Sequence, residues 1–287
     1  MNVKISCITS LYRCGEYLEN FLSHLRRVEN LSEIEFIFIH NDPLPDEVEI
    51  ISKFIDTYSL NIVYLKVPRE SLYASWNRAI RIANGRFITM WNVDDIRFPN
   101  SFILQSRALE KHEDVGLVYG NRYISKQYDS DRIEAIETKN IRNDSWYKKF
   151  QGGCFYMWKR SLHESIGYFD EQFISLADQD FWYRVVEKYR IKKINQRIGI
   201  YLNDHAKGIS KTSNISGIEK IVVGARHGFF TYIDFLGWKK AIQNYEWRII
   251  EYRDETKKCS IFKYKSLWVY IYSLYVLLLS ILVVVTK

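Results

Sequence analysis

Cysteine is scarce in this chain of 287 residues: there are four, Cys7, Cys14, Cys154 and Cys259. Their scatter gives neither metal-ligand spacing nor a disulfide framework. Cys7 sits inside an apolar strand and reads as a small core residue. A reducing compartment suits such a chain. Met1 to Ile8 reads as a first strand and is not expected to be a signal peptide, since it has no charged region followed by a long apolar run. No internal repeat and no long low-complexity segment is present. The net charge is +7 and the pI is near 9.0. Even so, the basic residues form no run dense enough for a nucleic-acid patch. Zinc-finger, RNP and helix-turn-helix signatures are absent too. The charge instead suits an anionic membrane surface or phosphorylated small molecules. Hydrophobic residues make up 47% of the chain, ample for a core.

Charge is lacking altogether over Leu267 to Val285. At ~1.5 Å per helical residue, about 19 residues nearly span a hydrocarbon core of ~30 Å. Trp268, Tyr270, Tyr272 and Tyr275 crowd its first half, as in an interfacial belt. Lys257, Lys258, Lys263 and Lys265 precede the run, and only Lys287 follows it. These features predict a single-pass membrane helix over 266–286, with the rest of the chain on the cytoplasmic side of the cell membrane. The alternative is a buried C-terminal helix.

Upstream, apolar strands alternate with amphipathic helices. Strands are expected at 3–9, 35–39, 61–67, 87–91 and 116–120, with a return to strand at 152–157. Helices are expected at 16–30, 46–58, 72–83, 100–112 and 176–189. Asn84-Gly85 reads as a left-handed cap on the third helix. Residues 128–144 read as a polar loop, and the chain from 217 onward as helical and aromatic-rich, with 229–240 resting on a membrane surface or on the main domain. Alternation of this kind predicts an α/β fold with a mostly parallel sheet flanked by helices. The expected organisation is one domain over 1–215, a helical juxtamembrane region over 216–265, and the membrane helix.

The stretch from Ala83 to Asp95, ANGRFITMWNVDD, carries the most chemistry. A strand there ends in Asn92, Asp94 and Asp95. Ligands bind at strand ends in open α/β sheets. Two carboxylates and an amide there suit a hard divalent cation carrying phosphate oxygens. Asp-Asp is also a common turn or cap.

This stretch resembles the strand of family 2 glycosyltransferases of the GT-A fold, roughly A-x-G-x-[FY]-[IL]-x-x-x-D-x-D-D, with Asn92 in place of the first Asp. Gly167 to Phe173 and then Ala177-Asp178-Gln179-Asp180 resemble the family's G-x-[FY]-D-E-x-[FL] and E-D-x-D, with Ala177 in place of Glu. The resemblance covers roughly residues 3 to 210. It implies a GT-A (Rossmann-like) domain that moves a sugar, with inversion, from a nucleoside diphosphate sugar to a hydroxyl. The membrane helix makes a glycan or lipid-linked acceptor of cell-surface polysaccharide or glycolipid assembly the expected one. The implied cofactor is a divalent metal, Mg²⁺ or Mn²⁺.

By the same resemblance, Asp94 contacts the metal, Asp95 supports it or caps the next segment, and His205 closes over the diphosphate or completes the metal shell. Asp178 is the catalytic base, with Asp180 as the fallback. Ser10 and Tyr12 lie beside the base or ribose, Asn41 and Asp42 where the base is recognised, and Asn92 at the ribose. Asn77 matches the Asn of the family's R-N segment, and Arg78 follows it. Trp146, Tyr147, Trp158 and Trp182 offer sugar-stacking faces. Residues 9 to 16 lack the Gly-rich loop of a sugar nucleotidyltransferase. Asn92 and Ala177 each replace an acid, which keeps a non-catalytic nucleotide- or glycan-binding module open.

Overall fold

The computed structural model of the chain describes residues 3–128, 130–138, 154–203, 219, 222–224, 226–227, 248–252, 255–259, 267, 270–271, 273–275 and 277–278. Two compact units emerge: residues 1–169 with 181–208, and residues 170–180 with 209–287. The first holds strands β1 (Ile5–Leu11), β2 (Ile34–Asn41), β3 (Ile62–Val67), β4 (Phe87–Met90), β5 (Ile96–Arg97), β6 (Val115–Ser125), β7 (Ile133–Ile136), β8 (Tyr156–Lys159) and β9 (Arg190–Leu202). Its helices are α1 (Gly15–Leu25), α2 (Pro45–Thr57), α3 (Leu72–Ile82), α4 (Ser101–Lys111) and α5 (Leu162–Ile166). Helix α6 (Ala177–Lys188) starts in the second unit and runs on into the first.

The helices form where local signals agree. Pro45 opens α2, where its missing N–H costs nothing. Ser71 caps α3 by accepting from Ala74 N at 3.1 Å, a bond worth about 1 kcal/mol. Leu18, Phe21, Leu22 and Leu25 form the buried stripe of α1. They meet Phe38 and Trp91, with ring centroids of Phe21 5.8 Å and 5.2 Å away. Cys7 is fully buried in this core, and burial pushes its thiol up to about 12.

The nine strands form one sheet in the order β3-β2-β1-β4-β8-β6-β9-β5, with β7 added to β6. The first four are parallel, as alternating helices dictate. Beyond β4 the expectation of a mostly parallel sheet needs correction. Strand β8 inserts between β4 and β6 and runs against both, while β7 opposes β6 and β5 opposes β9. Only β6 and β9 are parallel there. The fold is α/β with a mixed sheet.

Two local expectations also change. Gly85 is not a left-handed cap; Gly167 is the only described glycine at positive φ. Glycine is required at 85 because a Cβ would lie 2.5 Å from Ser6 N and 2.7 Å from Ile5 C. The tight approach is pinned by buried Glu35, which accepts from Ser6 Oγ at 2.5 Å, Asn84 N at 2.6 Å and Gly85 N at 3.3 Å. Within 128–144, read as a loop, β7 forms an edge strand.

In the second unit, the region expected to be helical contains an antiparallel pair, β10 (Arg248–Tyr252) with β11 (Glu255–Cys259). β-branched Ile249, Ile250 and Thr256 and a two-residue connection favour a hairpin there. Residues 219, 222–224 and 226 are helical, as expected. Most of 266–286 lies outside the described residues. Its described part is helical, and Leu267, Tyr270, Ile271, Leu274, Tyr275, Leu277 and Leu278 are 46% to 72% exposed. Among the described residues no helix is long and apolar enough to cross a membrane, so the expected anchor finds no support there.

Candidate active site

Parallel strands β3, β2, β1 and β4 end along one edge, with Leu11 beside His40, Asn41 beside Val67, and Ile8 beside Met90. From β1 the chain proceeds to β2 and β3 on one side. Helix α3 then carries it back to β4 on the other side. This reversal makes the β1–β4 edge the switch point, where open α/β sheets hold ligands.

After β4 the chain turns through Asn92, Val93, Asp94 and Asp95 into β5. Asp95 is 1% exposed, and both its oxygens are engaged. Oδ1 accepts from Leu202 N at 3.1 Å, and Oδ2 accepts from Asn92 Nδ2 at 3.2 Å. The Trp91 indole donates to the Asp95 carbonyl at 2.9 Å. Asp95 therefore ties the end of β4 to the end of β9. Burial, with the charge of Asp94 added, pushes its carboxyl well above the usual carboxylate range. Asp94 is raised too, by burial. Asp94 remains partly exposed, and its carboxyl meets the backbone N–H of its own residue.

This donor set fits one kind of cation. A partly buried acid pair with raised affinity for protons is stabilised by positive charge. Mg²⁺ and Mn²⁺ sites can draw one or two carboxylates from the protein and take phosphate and water oxygens for the rest. Asp94 would be the direct ligand, and Asp95 would hold its turn in place. Among the described residues no three acid, His or Cys side chains gather as an all-protein cage. His205 lies outside the described residues. Behind the pair, fully buried Arg97 donates to Gln105 Oε1 at 2.8 Å, Thr89 Oγ1 at 2.5 Å and Met90 O at 3.0 Å. Burial lowers its guanidinium to about 10. Nothing in the motif pointed to Arg97.

Across the switch point, Ser10 near the end of β1 is partly exposed, and Tyr12 is 42% exposed. The Arg69 guanidinium lies 3.7 Å over the Tyr12 ring. Asp42 has φ 51° and pairs with Arg13 at 3.0 Å. Asn41 is spent on the fold: Nδ2 donates to Glu70 O at 2.6 Å and Oδ1 accepts from Glu70 N at 2.9 Å. Asn77 is likewise buried in a two-way clamp on the Phe169 backbone, at 2.8 Å and 3.0 Å. Arg78 pairs with Glu70 at 2.8 Å. Asn41, Asn77 and Arg78 thus order the β3–α3 loop and α3 itself. Of the sugar-stacking candidates, Trp158 and Trp182 are buried core rings 5.5 Å apart, and Trp146 and Tyr147 lie outside the described residues.

The second unit holds the other acid pair. Asp178, in the first turn of α6, is partly exposed and accepts from Gln179 N at 2.7 Å. Asp180 is fully buried. Its Oδ1 accepts from Arg226 Nη1 at 2.9 Å and pairs with His227 Nε2 at 3.1 Å. Arg226 also reaches Asp170 at 3.0 Å. Its carboxylate is held between two basic groups. Buried Glu219 accepts from the backbone N–H groups of Ile174, Ser175 and Leu176 at 2.6 to 3.0 Å, holding the turn before α6. Arg226, His227 and Glu219 lie 39 or more residues past Asp180, and no local pattern marks them.

A family model described as "Glycosyl transferase family 2" matches residues 6–169, more than half of the chain. The chain belongs to glycosyl transferase family 2. Among curated relatives of this family 2 domain, an uncharacterized glycosyltransferase of Methanocaldococcus jannaschii, MJ1057, is 25% identical over 63% of this chain and 64% of its own length. A poly-beta-1,6-N-acetyl-D-glucosamine synthase of Staphylococcus epidermidis is 25% identical over 66% of this chain and 47% of its own. The chain thus spans less than two thirds of either relative. In fold the family 2 chain is similar to S. aureus TarS 1-349 in complex with UDP-GlcNAc, with a TM-score of 0.64 at 14% identity over 82% of this chain and 67% of that one. It is also similar to mannosyltransferase PcManGT from Pyrobaculum calidifontis in complex with GDP-Man and Mn²⁺, with a TM-score of 0.53 at 12% identity over 96% and 70%.

Proposed function

We propose that the protein is an inverting glycosyltransferase that moves a sugar from a nucleoside diphosphate sugar to a hydroxyl group in cell-surface polysaccharide or glycolipid assembly. The observation that carries this reading is the open carboxylate of Asp94 at the switch point of a family 2 domain. Solved relatives in fold that are named with UDP-GlcNAc and with GDP-Man and Mn²⁺ support a nucleotide-sugar donor and a divalent cation. The synthase relative supports a glycan product.

In this mechanism Tyr12 and Ser10 border the nucleoside, and Asp42, paired with Arg13, is the polar group nearest its edge. Asn92 offers an amide to a ribose hydroxyl. Asp94 would hold the divalent cation, which when bound neutralises charge developing on the diphosphate. Asp178 takes the proton of the acceptor hydroxyl as it attacks the anomeric carbon, and the nucleoside diphosphate departs. An acceptor on a lipid carrier, with the chain at the cytoplasmic side of the cell membrane through residues 266–286, completes the reading.

The test is turnover of UDP- and GDP-sugars by the full chain with Mn²⁺, in membranes containing lipid-linked acceptors. Sugar transfer lost in Asp178→Asn supports the assignment. Undiminished transfer in that variant refutes Asp178 as base.

A further inference from the structure

The segment Asp170–Asp180, which carries Asp178, belongs to the second unit together with residues 209–287. One face of a later helical stretch holds it. Residues 219, 222, 223, 224 and 226 are helical. At helical spacing Glu219, Val222, Val223 and Arg226 share a face. Glu219, Val222 and Val223 are buried, and the Arg226 side chain is largely so. This face grips the segment at three places. Arg226 donates to Asp170 at 3.0 Å and to Asp180 at 2.9 Å, tying the segment's first residue to its last. Between them, Glu219 Oε1 accepts from Ile174 N at 2.6 Å. Its Oε2 accepts from Ser175 N at 2.9 Å, Leu176 N at 3.0 Å and Ser175 Oγ at 3.1 Å.

The place of these amides gives the contact its chemistry. Ile174, Ser175 and Leu176 stand immediately ahead of Ala177, where α6 begins. A helix N-terminus and the amides that flank it draw negative charge. Along the chain the nearest acid to Leu176 is Asp178, in the first turn of α6. With the amides bare, the Asp178 carboxylate would be drawn back to cap its own helix, as short acids at helix starts do. It would then be engaged by the fold, as Asp180 is. Glu219 supplies the anion from outside the segment, and its charge-assisted bonds are of the strong kind. Asp178 stays partly exposed.

We propose that Glu219 is a positioning residue for the transfer reaction: it occupies the amides ahead of α6 and so keeps the Asp178 carboxylate available to the acceptor hydroxyl. This role rests on the glycosyltransferase reading and on Asp178 as its base. Glu219 acts only through the backbone that carries Asp178, and Arg226 closes the two ends of the same segment. The helical stretch after residue 217 thereby becomes part of the catalytic apparatus.

The experiment compares the full chain with Glu219→Gln and Glu219→Asp, with thermal unfolding as the check on folding. Release of nucleoside diphosphate from UDP-GlcNAc and GDP-mannose is followed with Mn²⁺, in membranes containing lipid-linked acceptors, to give kcat and the donor KM. Carbodiimide labelling of carboxylates, read at Asp178 by peptide mass spectrometry, reports that side chain without reference to activity. Glu219→Gln should lower kcat by about tenfold to a hundredfold, the scale of a misplaced catalytic group, with the donor KM unchanged. Asp178 labelling should fall in the same variant. Glu219→Asp keeps the charge and should recover part of both losses, and it carries the test should Glu219→Gln fail to fold. A folded Glu219→Gln with the kcat and the Asp178 labelling of the unsubstituted chain would overturn the role and leave Glu219 a purely structural residue. A raised donor KM with kcat unchanged would overturn it as well. Failure of the transferase reading is told apart: the unsubstituted chain then releases no diphosphate from either donor, and the catalytic role falls whatever the labelling shows.

Discussion

The two acid pairs, Asp94–Asp95 and Asp178–Asp180, make the same division of labour by different means. In each, the second acid is buried and consumed by the fold, and the first is left partly exposed. Asp95 is held by neutral donors, a backbone amide and the Asn92 side chain. Asp180 is held by two basic side chains, Arg226 and His227. The consequence is electrostatic. Among the described residues no basic side chain bonds the strand-end pair, whereas Arg226 meets the charge on Asp180.

Substitutions can break this comparison in a graded order. The largest effect is expected from Asp178→Asn, which should lower the transfer rate by about 10²- to 10⁴-fold with little change in stability. A rate that barely moves would place the base elsewhere. Next is Arg226→Leu, which strands a fully buried Asp180 without its cation. Loss of one partner of a buried pair costs about 3–5 kcal/mol, to be read by denaturant unfolding. An unfolding midpoint equal to that of the unsubstituted chain would show that Asp180 is not held as described.

A group outside both pairs sets the pH baseline. His163 is buried, with Nε2 accepting from the Trp158 indole at 3.0 Å and Nδ1 donating to Gly167 O at 3.0 Å. Burial lowers its imidazole from 6.5 to about 4. The unfolded chain therefore binds the extra proton first, and stability that is full above pH 6.5 is lost as pH falls toward about 4. The loss should approach about 3 kcal/mol, because each tenfold difference in proton affinity between the folded and unfolded chain is worth about 1.4 kcal/mol. His163→Gln should flatten that part of the stability profile; an unchanged profile would assign it to other groups.

The smallest structural effects separate Asp95 from Asp94. Asp95→Ala leaves Leu202 N and the Asn92 amide unpaired and should cost about 1–3 kcal/mol. Asp94→Asn keeps the size of the side chain and touches only a contact to its own backbone, so it should change stability by less than about 0.5 kcal/mol. Equal losses in the two would erase the distinction between the acids.

Legibility in the sequence followed the range of the interactions involved. The parallel half of the sheet could be read because each strand and helix declares itself within a few residues, as at Pro45 and Ser71. The mixed half could not, since β8 finds its place between β4 and β6 through pairings across many tens of residues. Gly85 was noticed for the wrong reason: its close approach to β1 is a tertiary fact. At the site, Asp94 and Asp178 stood out by pattern. Asn41 and Asn77 matched by position, yet their side chains are spent on backbone groups distant in sequence. Arg97 and Arg226 carried no pattern, because a cation held within the fold acquires its meaning only from what surrounds it.

The most direct measurement of the central claim is titration of UDP and GDP into the full chain, with and without Mn²⁺, for the unsubstituted protein, Asp94→Asn and Asp95→Asn. The account predicts binding of one diphosphate that strengthens with Mn²⁺, a response abolished in Asp94→Asn and weakened but present in Asp95→Asn. Mn²⁺-enhanced binding that survives intact in folded Asp94→Asn would contradict it.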